Sequence, residues 1–472
     1  MWVHSVISHI KKAVLFVVVA AVIVGGMNYL YVDDTDEFAR YMLHELYEES
    51  DNIDRLYLGS SHVFCGIDPL VLDKINGENN FNLSTGTQQL ITSYYLLIEA
   101  DKRHDIDRVY LDLYYNCMTA GLGNFHDYQS IPYSWIVLHQ MRPSVNRLSY
   151  MLNLSKPEYY YLTFLAFTRY KEKLFDLDYV SSVTKAKQSE IWKNYEYRHV
   201  SRVDDREYMM QNGEKGFRIY HGTPEYGGFY RTDREAPLGD NPITPESLEY
   251  LQKIVEYCKE HEIALTWIGC PISDYQLVRN GAYDNFVRQV EELAKEYEIP
   301  YFDFNLCKRE YLDLSQKEYW ADMGHLNTEG AEIYTRFLGN FLLAEEAGLD
   351  TYEDCFYNSY EDKVLDSQEE IYGLEITKSQ DYECCIPEIS EEELDEYVIY
   401  KVRPVTNAEA EDVEVTVRVT READGESEVE AILYKEGLDT YVAVSQHEQG
   451  TLYVEAKLGS SSVVTNWVTV EF

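Results

Sequence analysis

The twenty residues from Ala13 to Val32 (AVLFVVVAAVIVGGMNYLYV) carry no charge, and that run constrains everything after it. A helix rises about 1.5 Å per residue, so a run of this length matches a hydrocarbon core of about 30 Å. Lys11 and Lys12 precede it, and Asp33, Asp34, Asp36 and Glu37 follow it. The positive-inside rule then places the tip in the cytoplasm and the bulk of the chain outside the cell. Tyr29 and Tyr31 fit an interfacial aromatic belt. A cleaved secretory signal is the rival reading. The small-residue cleavage pattern is weak, so the residues favour an uncleaved, single-pass anchor in the cell membrane. No second uncharged run of this length occurs.

A chain of 472 residues predicts two or three domains. Its 45% apolar and 26% charged residues exclude a disordered or collagen-like chain. Asp and Glu number 83 against 41 Lys and Arg, a formal charge of −42. Such a surface repels phosphate backbones and argues against nucleic-acid partners. Residues 351–472 hold 30 of the acids and 8 of the bases, which points to a separate C-terminal unit with a solvated acidic surface. The eight cysteines show no CxxC pairing, so no zinc framework is expected. Several fall in apolar strands or helices and read as small buried hydrophobes. Cys355, Cys384 and Cys385 could cross-link in an oxidising compartment.

Past the anchor, a short helix over 36–50 leads into alternating strands and helices. IDRLYLG (53–59), NFNL (80–83), RVYLDL (108–113), IALTWIG (263–269) and PYFDF (300–304) read as strands. Helical spacing over 88–103, 245–261, 284–298 and 328–344 separates them, with Thr244 as N-cap and Pro245 at N1 of the second. Right-handed crossovers then predict a three-layer α/β domain, a parallel sheet with helices on both faces. Residues 117–243 interrupt that rhythm as a Tyr-rich, helical insertion. Its aromatics could form carbohydrate platforms, although packing is the commoner role. From 373 the pattern becomes seven short alternating strands, which predicts an antiparallel β-sandwich of immunoglobulin type. The expected organisation is a tip and transmembrane helix (1–35), an α/β domain (36–345), an acidic linker (346–372) and the sandwich (373–472).

Two stretches carry chemistry. Leu58-Gly59-Ser60-Ser61-His62 follows the first strand, and Asp322-Met323-Gly324-His325-Leu326-Asn327 precedes the last helix. Open α/β sheets bind ligands at the carboxyl ends of their strands, where both stretches would lie. A serine hydroxyl needs a base, histidine suits neutral pH, and a carboxylate fixes the histidine's tautomer. Ser61, His325 and Asp322 supply all three. The bland alternative is that Ser60 and Ser61 cap a turn, with Asp322 and His325 as turn residues before a helix. His62 beside Cys65 falls short of the donors a metal needs, so no metal is expected. Asp112, inside the third strand, is a candidate buried carboxylate whose partner the sequence does not give.

Taken together, these blocks resemble the SGNH/GDSL hydrolase superfamily, whose sheet is flavodoxin-like. Gly59-Ser60-Ser61 is similar to its leading block, with Ser60 where many relatives carry Asp. Asn82-Leu83-Ser84-Thr85-Gly86 resembles the second, Tyr114-Tyr115-Asn116 the third, and Asp322 to His325 the last. Tyr114 and Cys117 depart from the usual Gly-x-Asn-Asp. The resemblance implies Ser61 as nucleophile, His325 as base and Asp322 as its orienter. The Ser61 and Gly86 N–H groups and the Asn116 amide would form the oxyanion hole. Ser60, His62 and Tyr115 would lie where substrate binds. No cofactor is implied.

The anchor and the Asp-x-x-His-Leu-Asn ending look more specifically like envelope members of the superfamily, DltD-like and alginate O-acetylation-like. That implies an O-acyltransferase acting on an envelope polysaccharide or teichoic-type polymer, with a membrane-bound acyl-donor protein as partner. An esterase or deacetylase using water as acceptor, and a non-catalytic polysaccharide-binding or assembly protein, are the alternatives. The resemblance covers about residues 50–345, without the insertion.

Overall fold

The computed structural model describes residues 2–35, 37–119, 132–203, 206–222, 239–280, 282–322, 324–349, 351–367, 369–378, 386–387, 389–390, 393–421, 429–446, 449–459 and 462–471. Its first helix, Trp2–Tyr31, contains one stretch, His9–Tyr31, long and apolar enough to cross a membrane, with a mean hydropathy of 2.3. A signal sequence near an N-terminus can meet the same criteria of length and composition. The side chains of Val14 to Val19 are exposed.

In chain order the first eight strands are β1 (Arg55–Leu58), β2 (Asn80–Asn82), β3 (Arg108–Asp112), β4 (Arg198–Val203), β5 (Arg206–Asn212), β6 (Arg218–His221), β7 (Ala264–Gly269) and β8 (Tyr301–Asp303). A five-stranded sheet has the order β2-β1-β3-β7-β8. β1 runs parallel to β2 and β3, and β3 runs parallel to β7. Counted within the sheet, this is the order 2-1-3-4-5 of flavodoxin-like folds. All four residues of β1 are buried, as expected of a strand covered on both faces. The order reverses between β1 and β3, and folds of this topology hold ligands at that switch point, which here lies past Leu58 and Asp112.

The chain divides into two compact units. The first holds Met1–Tyr220, Ile243–Ile268 and Tyr297–Tyr301; the second holds His221–Pro242, Gly269–Glu296 and Phe302–Phe472. In the first, the insertion differs from its helical expectation. Beside helices such as Pro132–Gln140, Val145–Leu154 and Leu177–Lys187, it contains an antiparallel sheet in the order β4-β5-β6. RHVSRV and REYMMQN lack clean alternation, which is why the strands escaped a pattern reading. The parts over 120–131, 204–205 and 223–238 lie outside the described residues. Several tyrosines pack inside: Tyr150 is fully buried, stacks on Tyr95 at 4.8 Å and meets the Thr92 hydroxyl at 2.7 Å.

The turn before β6 is tied to the sheet edge. The Asn82 N–H donates to the Lys215 carbonyl at 2.9 Å, and the Gly216 N–H donates to Glu45 Oε2 at 2.8 Å. Gly216 has φ +77°, and a Cβ there would collide with the Asn82 carbonyl. Burial pushes the Glu45 carboxyl up from 4.5 to about 7, although the Gly216 N–H pulls the other way. The folded chain therefore keeps a proton that the unfolded chain has already released, and stability falls as pH rises from about 4.5 to about 7. Glu45→Gln keeps an acceptor for Gly216 and is expected to flatten that slope in urea denaturation run at a series of pH values. An unchanged slope would assign it to other groups.

In the second unit, the expected linker is folded. Helices Tyr352–Cys355 and Tyr360–Asp366 lie within it. The Phe356 ring sits 5.5 Å from Phe304 and 5.3 Å from Phe341. The Lys308 N–H donates to the Cys355 carbonyl at 2.8 Å. Cys355 is buried and has no disulfide partner among the described residues, and Cys384 and Cys385 lie outside them.

The C-terminal strands are β9 (Ile371–Lys378), β10 (Tyr397–Thr406), β11 (Val413–Arg421), β12 (Ala431–Glu436), β13 (Asp439–Ser445), β14 (Gln449–Leu458) and β15 (Ser462–Glu471). One antiparallel sheet is ordered β12-β13-β10-β9 and the other β11-β14-β15. With the strands lettered A to G in chain order, the two sheets read DEBA and CFG, the strand order of constant-type immunoglobulin sheets. Leu374, Val402 and Val442 of the first sheet share one core with Val419, Leu452 and Val454 of the second.

Candidate active site

The Ser60–Ser61 turn follows β1 directly and opens a six-residue helix, Ser61–Gly66. Ser60 is its N-cap, and its side chain takes a long 3.5 Å hydrogen bond from the His62 N–H. Ser60 is buried, with Oγ 3.5 Å from Asp112 Oδ2 at the end of β3. Ser61, the first helical residue, is half-buried. The helix is too short to hold itself. Asn82, fully buried at the end of β2, donates to the carbonyls of Val63 at 2.8 Å and Ile67 at 3.1 Å and clamps it.

Gly59 makes the turn possible. A Cβ there would stand 2.6 Å from the Asp112 Cβ and collide with Val63. Gly59→Ala is expected to cost about 1–3 kcal/mol by overpacking, read from denaturant unfolding. A cost near zero would mean that β1 and β3 separate freely.

The loop after β2 is also held. Ser84 Oγ donates to the Tyr57 carbonyl at 3.4 Å. The Thr85 hydroxyl donates to Gln88 Oε1 at 2.9 Å, and the Gln88 amide reaches the Leu83 carbonyl at 3.3 Å. Gly86 lies in this loop, and Thr87 after it has φ +45°. A β-branched residue there is a genuine outlier, of a kind that clusters at ligand-binding turns. Past β3, Asn116 Nδ2 donates to the Tyr114 hydroxyl at 2.8 Å, and the Tyr114 ring lies 4.1 Å from His62. Tyr115 is buried and meets Tyr114 edge-on at 5.0 Å.

In the second unit, the Asp322–Asn327 stretch is one hydrogen-bonded device. His325 Nδ1 lies 2.9 Å from both Asp322 oxygens. The carboxylate can only accept, so a neutral ring carries its proton on Nδ1 and presents its lone pair at Nε2. The Gly324 and His325 N–H groups each donate to Asp322 Oδ1 at 2.9 Å. Burial alone would raise the Asp322 carboxyl. The charge and hydrogen bond of His325, with the two backbone donors, outweigh it and hold the carboxyl well below its usual range. Buried Leu326 anchors the turn. Asn327 caps the helix Thr328–Glu346, accepting from Glu329 and Gly330, while its amide ties back to the Glu318 carbonyl at 2.6 Å. A small, shallow cleft in the same unit is lined by Pro271, Phe304, Arg309, Trp320 and Lys363.

Asp322 and His325 are thus brought together, as are Ser60 with Asp112 and His62 with Tyr114 and Asn116. Ser61 belongs to the first compact unit and His325 to the second. Asn82 stands in the second block of the sequence, but its clamping of the Ser61–Gly66 helix was not read there, and Thr87 was not singled out at all. A polar residue closing the apolar NFNL strand was the available signal for Asn82; Thr87 gave none.

No family model matches the chain, and no curated protein does. A solved structure of a provisionally named platelet activating factor from Streptococcus pneumonia is similar with a TM-score of 0.29 and 12% identity. The match spans 68% of this chain and 99% of that one. A likeness of that size carries no functional argument, so the chemistry rests on this chain's own residues.

Proposed function

We propose that the chain is a membrane-tethered serine acyl-ester enzyme of the SGNH type, a three-layer α/β fold passing an acyl group through Ser61. The observation that carries this reading is the Asp322–His325 pair, an imidazole held by a carboxylate that two backbone N–H groups fix in turn. That is the base half of a serine hydrolase. The nucleophile half is read from Ser61, at the start of a helix beside the switch point of the sheet. In this reading His325 Nε2 takes the Ser61 proton as Oγ attacks an ester carbonyl. The N–H groups of Ser61 and Gly86 receive the developing oxyanion. The Asn116 amide joins them through its second N–H, its first being spent on Tyr114. Each such donor is worth about 2.7–4 kcal/mol in the transition state. His325 returns the proton to the leaving oxygen. His325 then takes the proton of a sugar hydroxyl on an envelope polysaccharide or teichoic-type polymer as that oxygen attacks the acyl-serine, and returns it to Ser61 Oγ as the Oγ–acyl bond breaks. The ester attacked first is carried by a membrane-bound acyl-donor protein.

The contacts made by the end of the N-terminal helix favour an uncleaved tether. Asn28, Tyr29, Tyr31 and Val32 all hydrogen-bond to the insertion, and a cut before Asp33 would remove every one of those partners.

The test is covalent. Full-length protein in detergent is treated with an aryl fluorophosphonate and digested for mass spectrometry. The expected adduct is on Ser61, and Asp322→Asn slows its formation. An adduct on another serine, or none, overturns the assignment. Supplying an aryl acetate with envelope polysaccharide should give polymer-bound ester; release of acetate alone would make water the acceptor.

A further inference from the structure

Where the apolar helix ends, the insertion forms a collar around it. The Phe167 N–H donates to Asn28 Oδ1 at 2.9 Å, the Tyr31 hydroxyl donates to the Leu174 carbonyl at 2.8 Å, and the Tyr179 hydroxyl donates to the Tyr31 carbonyl at 2.9 Å. Lys187 Nζ closes the ring on the Tyr29 carbonyl at 3.1 Å. All three helix residues, Asn28, Tyr29 and Tyr31, lie in the last turn. The 23 residues of His9–Tyr31 rise about 35 Å, slightly more than a hydrocarbon core, so that turn sits at the lipid–water boundary. Residues 167–187 are therefore held at the same level.

Between the bonded residues Leu174 and Tyr179 the chain presents two apolar side chains outward. Phe175 is 95% exposed and Leu177 is 79% exposed. Tyr161 and Phe164 of the same segment are also exposed. Scattered exposed apolar residues are ordinary; these stand beside the exit of a membrane-length helix. The local charge is as distinctive. Residues 156–193 hold seven Lys and Arg against five Asp and Glu, in a chain where acids outnumber bases two to one. Lys171, Lys173 and Lys185 are exposed. Phe175 and Leu177 alternate with Asp176 and Asp178, Lys173 pairs with Asp176 at 3.3 Å, and Lys171 and Lys185 stand exposed on either side. Exposed apolar side chains with exposed lysines in the same segment form the pattern of a surface that lies in an anionic lipid interface.

We propose that this collar is a second membrane contact, which rests on the reading of His9–Tyr31 as a spanning helix. Phe175 and Leu177 enter the headgroup–acyl boundary, while Lys171 and Lys185 face anionic headgroups. The helix supplies one attachment and the collar a second, so the first unit is held at a set orientation to the bilayer instead of swinging on a tether.

The full chain is reconstituted in vesicles of equal parts phosphatidylglycerol and phosphatidylcholine. An apolar aryl diazirine dissolved in the bilayer is photolysed, and adducts are mapped by peptide. Adducts are expected in 9–31 and in the peptide bearing Phe175 and Leu177. Phe175→Ser with Leu177→Ser should lose the second set and keep the first; both side chains are exposed, so the fold is retained. Labelling of 9–31 with none at 175–177 overturns the collar while leaving the span standing. Labelling of neither overturns the span and the collar together.

Discussion

Replacing Ser61 by alanine is expected to cut turnover of an aryl acetate by at least about a thousandfold, since the loss of a triad nucleophile removes most of the covalent route. Stability should hardly move. Ser60, not Ser61, supplies the helix cap, and Ser61 takes up the first helical position, which alanine fills well. Ser60→Ala is the control with the opposite signature: it loses the cap and the Asp112 contact and should cost about 1 kcal/mol of stability. A chain in which the two serines only cap a turn would show the stability loss at Ser60 and no rate loss at Ser61. Asp322→Asn keeps an acceptor for the Gly324 and His325 N–H groups but can offer the His325 ring a donor instead of a carboxylate. The wrong tautomer is then favoured, and turnover should drop by about ten-thousandfold. Retention of full hydrolysis in Ser61→Ala would falsify the nucleophile assignment.

Strands β1, β3 and β7 were legible in the sequence because a parallel strand buried on both faces must be a short apolar run, and RLYL, RVYLD and ALTWIG are such runs. The seven C-terminal strands were legible for the complementary reason, alternation. The helix Ser61–Gly66 was not, because six residues cannot display a 3.6 period and its order depends on Asn82 from another strand. The linker helices were hidden by acidic composition, and their order comes from Phe356 against Phe304 and Phe341. Asp322 and His325 are three apart on one turn, so their pairing could be read from spacing. Ser60 and Asp112 are 52 residues apart, and only strand pairing brings them together.

Lys187→Met is expected to destabilise the first unit by about 3 kcal/mol, the low end for breaking one side of a buried ion pair. The Lys187 side chain is 3% exposed and lies 3.2 Å from Asp34, which is 12% exposed. Its ammonium also donates to the carbonyls of Tyr29 and Val32, which a helix C-terminus leaves without backbone partners. Methionine fills the volume but leaves those carbonyls without that donor, and Asp34 without its nearest cation. The loss stays at the low end because Asp34 keeps the Gln140 amide at 3.1 Å, the Trp192 indole N–H at 3.2 Å and the Arg40 guanidinium at 3.9 Å. Asp34→Asn added to Lys187→Met should therefore recover part of the loss, since it removes the charge that methionine strands. The measurement is guanidinium unfolding of the full chain in detergent, followed by tryptophan fluorescence. Trp192 lies 6.4 Å from Tyr29 at the helix end and should report the change. A loss under about 0.5 kcal/mol would place Lys187 in water, as for an exposed ion pair. The helix end would then be held by the Phe167, Tyr31 and Tyr179 hydrogen bonds alone.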